Sequence, residues 1–548
     1  MASIKVQYND ITKEYEKGIL LSDILNEYKN DYTKSVLVGS INNRVVNLNT
    51  KITKDSEIKF YDVTHPIGSQ AYERGIYFLF CVAVRNVLNC DVKILYEYDN
   101  GIYCEILSNG LISEVTVEKI KIEMNNLVNK NIPITKVMVS RLEAIDYYEK
   151  IGQKDKANSL KYISNSSINL YKFDDILDYF YGTLPSSTGE LKKYNIKYLS
   201  NNNVVLMIPN FTNYDGFENI KVGKNDKLIK NLIANEKYLR GLEVSNAAQL
   251  NDVIARGSYK DIIMISEAMF NNSIFELANE ISSNKDIKVV LIQGTTSSGK
   301  TTVSKKLSLY LKSKGMNPIP ISMDDFLISD ENRLLDDTVE DELNGIDTVL
   351  FNEKISKLLN NEKVSLPKYS LISGKKEITK DKISLGDNGI LIIEGAHTFK
   401  EKLTEMIPDR SKYKVYVGPI TPLQIDNHNI FKESDIRLLR KMIRDNAMFL
   451  TDATDILKLS ESFIIESINS RQYIYDANYI INTSLPYVLN VLKTYAEPLL
   501  FSIGDDNLYY GNAIRLINLF RVILGIPSED IPCDSILREF IGKSCFKD

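Results

Sequence analysis

The chain has few of the residues on which many hydrolases and metalloenzymes depend. It has no tryptophan and only three histidines among 548 residues: His65, His397 and His428. Three scattered histidines argue against a multi-histidine metal site and against a Ser-His-Asp triad. We interpret each one as a surface or packing residue; His397, which comes just after a predicted strand end, is the strongest candidate for another role.

Cysteines and long apolar runs are also scarce. The five cysteines form no C-x-x-C pair; they are Cys81, Cys90, Cys104, Cys533 and Cys545. The longest apolar run, "IYFLFCVAV" at 76–84, is too short to span a bilayer, and the first residues lack the layout of a signal peptide. These features predict a reduced, cytoplasmic protein without a membrane partner.

The charge balance is slightly acidic. The net charge is −5 and the isoelectric point is about 5.7, which argues against a general electrostatic affinity for nucleic acid or anionic membranes. With 44% hydrophobic residues, a chain of this length is expected to form several ordinary globular cores.

One loop carries a specific chemical signal. In "KVVLIQGTTSSGKTTVSKKL" (288–307), Gly294 is followed after four residues by Gly299, Lys300 and Thr301, the G-x-x-x-x-G-K-[ST] pattern of phosphate-binding loops. The apolar run before it predicts a buried parallel strand, and the pattern after it predicts a helix that ends near Gly315. A loop between a strand and a helix N-terminus suits a phosphate chain.

We therefore predict a site for ATP and Mg²⁺. Lys300 is expected to reach the β- and γ-phosphates, and the Thr301 hydroxyl is expected to ligate Mg²⁺. The residues predicted to bind the nucleotide are Gly294, Thr295, Thr296, Ser297, Ser298, Gly299, Lys300, Thr301 and Thr302.

Acidic residues follow two other predicted strands. Asp324 and Asp325 come after "NPIPIS", and Glu394 closes "GILIIEG". Because ligands of open parallel sheets sit at the carboxyl ends of strands, these side chains should face the loop. An Asp there can accept a proton from an attacking hydroxyl, and Glu394 can hold Mg²⁺ directly or through water.

A row of arginines lies on a predicted helix. Arg437, Arg440 and Arg444 in "SDIRLLRKMIRDN" share one helical face, which is suited to stabilising transferred phosphate charge.

The chain as a whole is predicted to be α/β. The pattern of residues 1–63 is that of a small β-grasp (ubiquitin-like) domain, residues 64–225 are mixed α+β, and residues 226–285 are a helical linker. From 286 to 548, strands and helices alternate, which predicts a doubly wound parallel sheet with a C-terminal helical extension.

The motifs together resemble the uridine kinase and phosphoribulokinase family of P-loop kinases. The segments are "GTTSSGKTTV", "SMDDFL", "ELNGID", "LPKYS", "LIIEGAH" and "SDIRLLRKMIRD", within about 286–500. The resemblance implies that Asp324 is the general base, that Glu394 assists Mg²⁺, and that Asp341 and Tyr369 contact a nucleoside. It also implies phosphate contacts from Arg437, Arg440 and Arg444, with Arg437 near the substrate.

The rest of the chain resembles a branch of that family with two further N-terminal domains. These are a TGS domain and a domain similar to the second domain of threonyl-tRNA synthetase, as "ERGIYFLFCVAV" and "DYFYGTLPSSTGELKKYNI" indicate. The resemblance implies RNA contact through these domains and self-association into a homo-oligomer.

Three departures from the family patterns matter. The positions of the synthetase editing residues hold Arg74, Phe78, Phe180 and Leu184, so editing-type hydrolysis is not expected. After "P-x-Y", Gly374 and Lys376 replace the His and Arg of uridine kinases. The lid region carries six acids against Lys458 and Arg471; these acids are Asp445, Asp452, Asp455, Glu461, Glu466 and Asp476.

The sequence thus predicts an ATP- and Mg²⁺-dependent kinase acting on a hydroxyl of a small molecule, a nucleoside by resemblance. One alternative is a catalytically weakened nucleotide-binding regulator or RNA-associated protein. A second is a sugar-phosphate kinase, for which Lys368, Lys375 and Lys376 supply positive charge.

Overall fold

The structure is a computed structural model that describes residues 3–220, 223, 225–328, 345–370 and 374–546. Among these residues, no helix combines the length and the apolar character that a membrane crossing requires.

The first sheet has five strands and one covering helix. Ser3–Tyr8 alternates exposed and buried residues, with Ile4, Val6 and Tyr8 facing the helix Leu21–Tyr28. It pairs in parallel with Ser56–Asp62, and the other pairings are antiparallel. The strands lie in the order Ile11–Glu16, Ser3–Tyr8, Ser56–Asp62, Val36–Ile41 and Arg44–Val46.

A long buried helix, Pro66–Leu88, organises the next region. It begins with His65 accepting from the Ile67 N–H at 3.1 Å and ends at Asn89, which adopts a left-handed φ of 49°. Two antiparallel sheets surround it. One has the order Asn195–Ser200, Asn203–Met207, Gly101–Ile106 and Val92–Tyr98; the other has the order Ile176–Asp178, Ser167–Phe173 and Ile134–Ser140. The helices here are Glu114–Asn129, Arg141–Lys150 and Lys154–Lys161.

Three helices follow, at the positions that the sequence pattern predicts. They are Asp226–Gly241, Ala247–Ala255 and Tyr259–Ser283. Tyr259–Ser283 buries Ile274, Leu277 and Ile281 in the same core as Val303 of the helix that follows the loop. This segment therefore contributes directly to the core beneath the site.

Five strands after residue 286 form one parallel sheet, which confirms the predicted α/β class for this part. Val289–Gln293 is buried at every position because a strand lies on each side of it. The order is Asn317–Ser322, Gly389–Gly395, Val289–Gln293, Lys412–Gly418 and Tyr479–Asn482. Ser322 pairs with Glu394, and Gln293 pairs with Gly395, so the strand ends that carry the candidate residues are adjacent.

The remaining elements of this part surround the sheet. A hairpin joins Pro367–Ser370 to Lys375–Ile378. The helices are Lys300–Ser313, Thr348–Leu359, Glu401–Thr404, Glu433–Phe449, Ala453–Leu457, Ser460–Asp476, Val488–Phe501, Tyr510–Phe520 and Arg538–Ile541.

A buried ionic network joins the central region to the region of the parallel sheet. Lys156 and His428 Nδ1 both contact the Asp178 carboxylate, and His428 Nε2 lies 2.8 Å from Asp91 Oδ1. Burial and Lys156, whose Nζ lies 2.7 Å from His428 Nδ1, lower the pKa of His428, but Cys81 and Asp91 outweigh them, and the pKa is raised to about 10. His428 is thus buried in this network rather than placed at the phosphate-binding loop.

Candidate active site

The phosphate-binding loop links the central strand to the helix Lys300–Ser313. Gly299 is the N-cap of this helix at φ 98°, in the left-handed region that favours glycine. A Cβ on Gly299 would lie 2.3 Å from Ile536 Cδ1, and one on Gly294 would lie 2.2 Å from the Val417 carbonyl oxygen. Both glycines are therefore required by close packing as well as by the motif.

One hydroxyl of the loop, that of Thr301, reaches the buried carboxylate of Glu394. Lys300 Nζ donates to the Thr295 carbonyl at 2.9 Å, and the Thr301 hydroxyl donates to Glu394 Oε1 at 3.2 Å. Burial raises the pKa of Glu394 to about 7, with Asp324 adding to the rise and Lys300 opposing it. Oxygen ligands of this kind are those that Mg²⁺ prefers, so Thr301 and Glu394 fit the predicted metal site.

The two aspartates after Asn317–Ser322 have different surroundings. Asp325 Oδ1 accepts from the Tyr369 N–H at 3.2 Å and lies 3.4 Å from Lys368 Nζ. Asp324 is exposed, and its charge acts on both Glu394 and His397. Asp325 therefore holds the hairpin in place, whereas Asp324 faces the loop side of the sheet.

His397 lies near the charged residues of the site rather than in a distant part of the core. Burial lowers its pKa, and Lys400 and Lys300 lower it further. An imidazole that stays neutral beside Lys300 and Asp324 can donate or accept a hydrogen bond at the open side of the loop.

Two arginines of the predicted row support the loop from behind. Arg437 and Arg440 are fully buried. Arg437 Nη1 donates to the Thr296 carbonyl at 3.1 Å, and Arg440 Nη2 donates to the Thr483 carbonyl at 2.9 Å. Arg440 Nη1 also lies 3.4 Å from the Ser297 carbonyl. These contacts position the loop backbone, and direct phosphate binding by either arginine stays a prediction.

The third arginine of the row does not join the loop in the described structure. Arg444 Nε donates to Asp445 Oδ1 at 3.0 Å, and its side chain is partly exposed. A shared helical face therefore did not bring all three guanidinium groups to the nucleotide site, because the loop covers only the first two turns of Glu433–Phe449.

Besides Glu394, three glutamates accept hydrogen bonds from the loop, and these contacts were not predicted. Glu466 Oε1 accepts from the Thr296 N–H at 2.8 Å, and Glu539 Oε2 accepts from the Thr302 hydroxyl at 2.6 Å and its N–H at 3.3 Å. Glu433 Oε1 accepts from the Thr295 hydroxyl at 3.2 Å. The excess of acids in the lid was a signal for Glu466, whereas nothing in the sequence pointed to Glu539.

Part of the predicted binding site for the phosphate acceptor lies among the described residues. Tyr369 lies in the hairpin strand Pro367–Ser370, whose backbone is tied to Asp325. Asp341, the other predicted nucleoside contact, lies outside the described residues. Lys376 Nζ lies 2.9 Å from Asp347 Oδ2, so this lysine, like Lys368, has a carboxylate partner.

The positions that correspond to the editing residues carry mainly apolar side chains. Phe78 packs against Phe180 with ring centroids 5.3 Å apart, and Leu184 is fully buried beside them. Arg74 donates to the Thr183 carbonyl from Nε and Nη2 at 3.1 and 3.0 Å. This arrangement offers no nucleophile or general base at these four positions.

Comparisons with known proteins agree with part of the resemblance. No protein-family model matches the chain. Threonine–tRNA ligases from Anoxybacillus flavithermus and Bacillus subtilis are 28% and 27% identical over 197 residues, which cover 35% of this chain. The chain spans only 30% of the length of these two relatives.

Likeness to solved structures is weaker. A structure described as a possible uridine kinase from Bacillus stearothermophilus is 16% identical and covers 36% of this chain and 89% of that one, with a TM-score of 0.24. A score this low carries no argument about this chain. What the comparisons show is that about a third of the chain is similar to part of the threonine–tRNA ligases.

Proposed function

We propose that this protein is an ATP- and Mg²⁺-dependent kinase that transfers the γ-phosphoryl group to a hydroxyl of a nucleoside. One observation carries the proposal. The hydroxyl of Thr301, directly after the loop lysine, is hydrogen-bonded to the buried Glu394, and the exposed Asp324 stands on the adjacent strand end. These are the phosphate, metal and base positions that phosphoryl transfer requires.

Each group has a defined part in this proposal. Lys300 and the N–H groups of the loop bind the phosphates and orient the γ-phosphoryl group. Mg²⁺, when held by Thr301 and Glu394, neutralises charge on the phosphates. Glu394 serves this purpose best when ionised, which its pKa of about 7 permits above neutral pH.

Asp324 is proposed to accept the proton of the attacking hydroxyl. It is exposed at the sheet edge, so a substrate can approach it, and Lys300 lies close enough for both to act on the same neighbours. A positioned base of this kind contributes on the order of 10²- to 10⁴-fold in rate.

The charge around the hairpin favours a neutral acceptor over a sugar phosphate. Two of the three lysines that could attract an acceptor phosphate, Lys368 and Lys376, lie beside Asp325 and Asp347. Their charge is largely compensated, which supports a nucleoside with Tyr369 and Asp341 as its contacts.

The organisation of the chain is likewise proposed from the sequence pattern. We infer a TGS-like β-grasp domain at 1–63, a synthetase-like domain at 64–225, helices at 226–285 and the kinase domain at 286–548. The strand order of the first sheet and the ligase likeness support the first two units. RNA contact through them, self-association and a cytoplasmic location are proposed on the resemblance alone.

A second function is favoured by the glutamates on the loop. Glu466 and Glu539 accept from loop N–H groups that a phosphate would otherwise use. A protein whose own carboxylates compete with nucleotide at these donors is suited to sensing nucleotide concentration. We therefore keep a nucleotide-binding regulator as the second candidate.

Measurement of ATP consumption separates the two. The purified protein is assayed with Mg²⁺ and a panel of ribonucleosides, deoxynucleosides and pentose phosphates, beside Lys300→Ala and Asp324→Asn. The exposed Asp381→Asn is the matched control. A kinase shows turnover with one acceptor that the two site variants lose and the control keeps. A regulator binds ATP, but no acceptor raises turnover above that of Asp324→Asn.

A further inference from the structure

A large cleft lies away from the phosphate-binding loop. Its volume is about 840 Å³, and none of residues 294–302 lines it. Its walls come from the strand Arg44–Val46, the helix Pro66–Leu88, the three-stranded antiparallel sheet and the helix Tyr510–Phe520. Binding sites for small molecules typically measure about 300–1,000 Å³, so this cleft is large enough for a nucleotide.

The cleft concentrates positive charge in a chain whose net charge is negative. One carboxylate, Asp505, lines it together with six basic side chains: Arg44, Lys54, Arg74, Lys136, Arg515 and Arg521. Arg515 has a bidentate partner in Asp435, with both N–O distances 2.7 Å. Within the described part of the chain, the other five form no ion pair.

The unpaired cations affect one another. The pKa of Lys136 is lowered by burial and then by Arg44 and Arg74. Burial likewise lowers the pKa of Arg74 to about 10, and Arg515 adds to this effect. Six cations against one lining carboxylate leave the cleft with an excess of positive charge, which an anion would compensate.

The rest of the lining suits a ring and its polar edges rather than a bare anion. Aromatic rings face the cleft, and Lys136 Nζ already lies 5.2 Å from the ring centroid of Tyr171. Tyr179 and Tyr510 line it as well, with the side-chain amides of Asn169 and Asn512. Stacking on tyrosine and hydrogen bonding to amides are the usual contacts of a nucleobase.

We propose that this cleft is a second ligand site and that it takes a nucleoside polyphosphate. Its phosphates would contact Arg44, Lys136 and Arg521, and its base would lie against the tyrosines. The site is separate from the loop that binds the transferred phosphate, so the proposal does not depend on the kinase reaction.

The test uses the full chain with the loop disabled, which separates this site from the proposed active site. Lys300→Ala is titrated by calorimetry with ATP, GTP, inorganic tripolyphosphate and a single-stranded RNA decamer. The same titrations are made after adding Arg44→Gln, Lys136→Gln and Arg521→Gln. A matched control removes three positive charges at exposed positions outside the cleft: Lys119→Gln, Lys237→Gln and Lys285→Gln.

We expect Lys300→Ala to bind ATP or GTP more tightly than tripolyphosphate, with affinity that falls as salt rises. The cleft triple variant should weaken this binding at least tenfold, and the control should change it less than twofold. Because Arg44, Lys136 and Arg521 are exposed, the thermal midpoint of the cleft variant should match that of the control. If the triple variant fails to fold, the single changes Lys136→Gln and Arg521→Gln are measured instead.

Three results would overturn the proposal. The first is equal nucleotide binding by the cleft and control variants, or none by Lys300→Ala itself. The second is binding of tripolyphosphate as tight as that of ATP and GTP, which would mean that the cleft recognises charge alone. The third is cleft-dependent binding of the RNA decamer without binding of either nucleotide. An absence of ATP turnover in the wild type would not change any of these binding results.

Discussion

Replacing Glu394 by Gln should stabilise the protein at high pH while removing its proposed metal ligand. Burial raises the pKa of Glu394 from its ordinary value of 4.5 to about 7. At about 1.4 kcal/mol per pH unit, keeping this side chain ionised at pH 8 opposes folding by about 3 kcal/mol. A neutral amide of the same shape avoids most of that penalty.

The direction of this pH dependence of stability follows from proton binding. Between pH 4.5 and 7 the folded protein holds a proton on Glu394 that the unfolded chain has released. The free energy of unfolding therefore falls as pH rises through this window. Below pH 4.5 both forms are protonated, so wild type and Glu394→Gln should have nearly equal stability there.

Thermal unfolding measures the difference. For a unit of about 250 residues, about 2 °C of midpoint corresponds to 1 kcal/mol, so Glu394→Gln should unfold about 6 °C higher than wild type at pH 8. At pH 5 the gain should be much smaller. Asp381→Asn removes the same charge from an exposed position and should change the midpoint little at either pH.

Two outcomes would refute this reasoning. An equal gain at pH 5 and pH 8 would show that the effect is packing rather than ionisation. A midpoint lowered at pH 8 would show that the carboxylate is stabilised in its charged form by Lys300 and its other neighbours.

Three further changes test contacts of the loop and of the buried network. Glu539→Gln should raise nucleotide affinity severalfold in a titration with ATP, because an amide competes less well than a carboxylate for N–H donors that also bind phosphate. Gly299→Ala should lose nucleotide binding and unfold at a lower temperature, because its φ of 98° and its 2.3 Å approach to a neighbouring side chain leave no room for Cβ. Asp178→Asn should reduce stability at pH 7 by roughly 3–5 kcal/mol, because the buried Lys156 and His428 lose the carboxylate that they share. Since the pKa of His428 is raised to about 10, its share of this stability is complete below about pH 6.5 and is lost as pH rises through 10.

Each of these has a control and a contrary result. The exposed Glu529→Gln should leave nucleotide affinity unchanged, and a weaker affinity in Glu539→Gln would mean that this carboxylate helps to form the site. Gly315→Ala places the same methyl group at a left-handed residue with open space around it, so it should retain nucleotide binding. An Asp178→Asn protein as stable as wild type at pH 7 would contradict the ionic network.

The local structure of this protein could be predicted from the sequence because it depends on residues that are close together in the chain. The loop motif is contiguous, and the strand before it and the helix after it follow from apolar runs and helical spacing. The same holds for the alternation of strands and helices after residue 286 and for the helical character of residues 226–285. Strand ends then place Asp324 and Glu394 at one edge, because parallel strands share a direction.

The direction and the partners of the side chains needed the folded chain. Helical spacing put Arg437 and Arg440 on one face, but packing decided that this face lies behind the loop, where the guanidinium groups meet carbonyl oxygens. Glu539 reaches Thr302 from 237 residues away, a contact that no periodicity encodes.

The basic cleft arises in the same way. Arg44, Lys136 and Arg521 belong to three distant segments, and each alone looks like an ordinary solvated cation. A charge cluster exists only when hydrophobic packing brings those segments together. The chemistry of the loop therefore follows from residues that are neighbours in the sequence. Long-range packing decides which groups support the loop, which groups compete with its ligand and which ligand binds elsewhere.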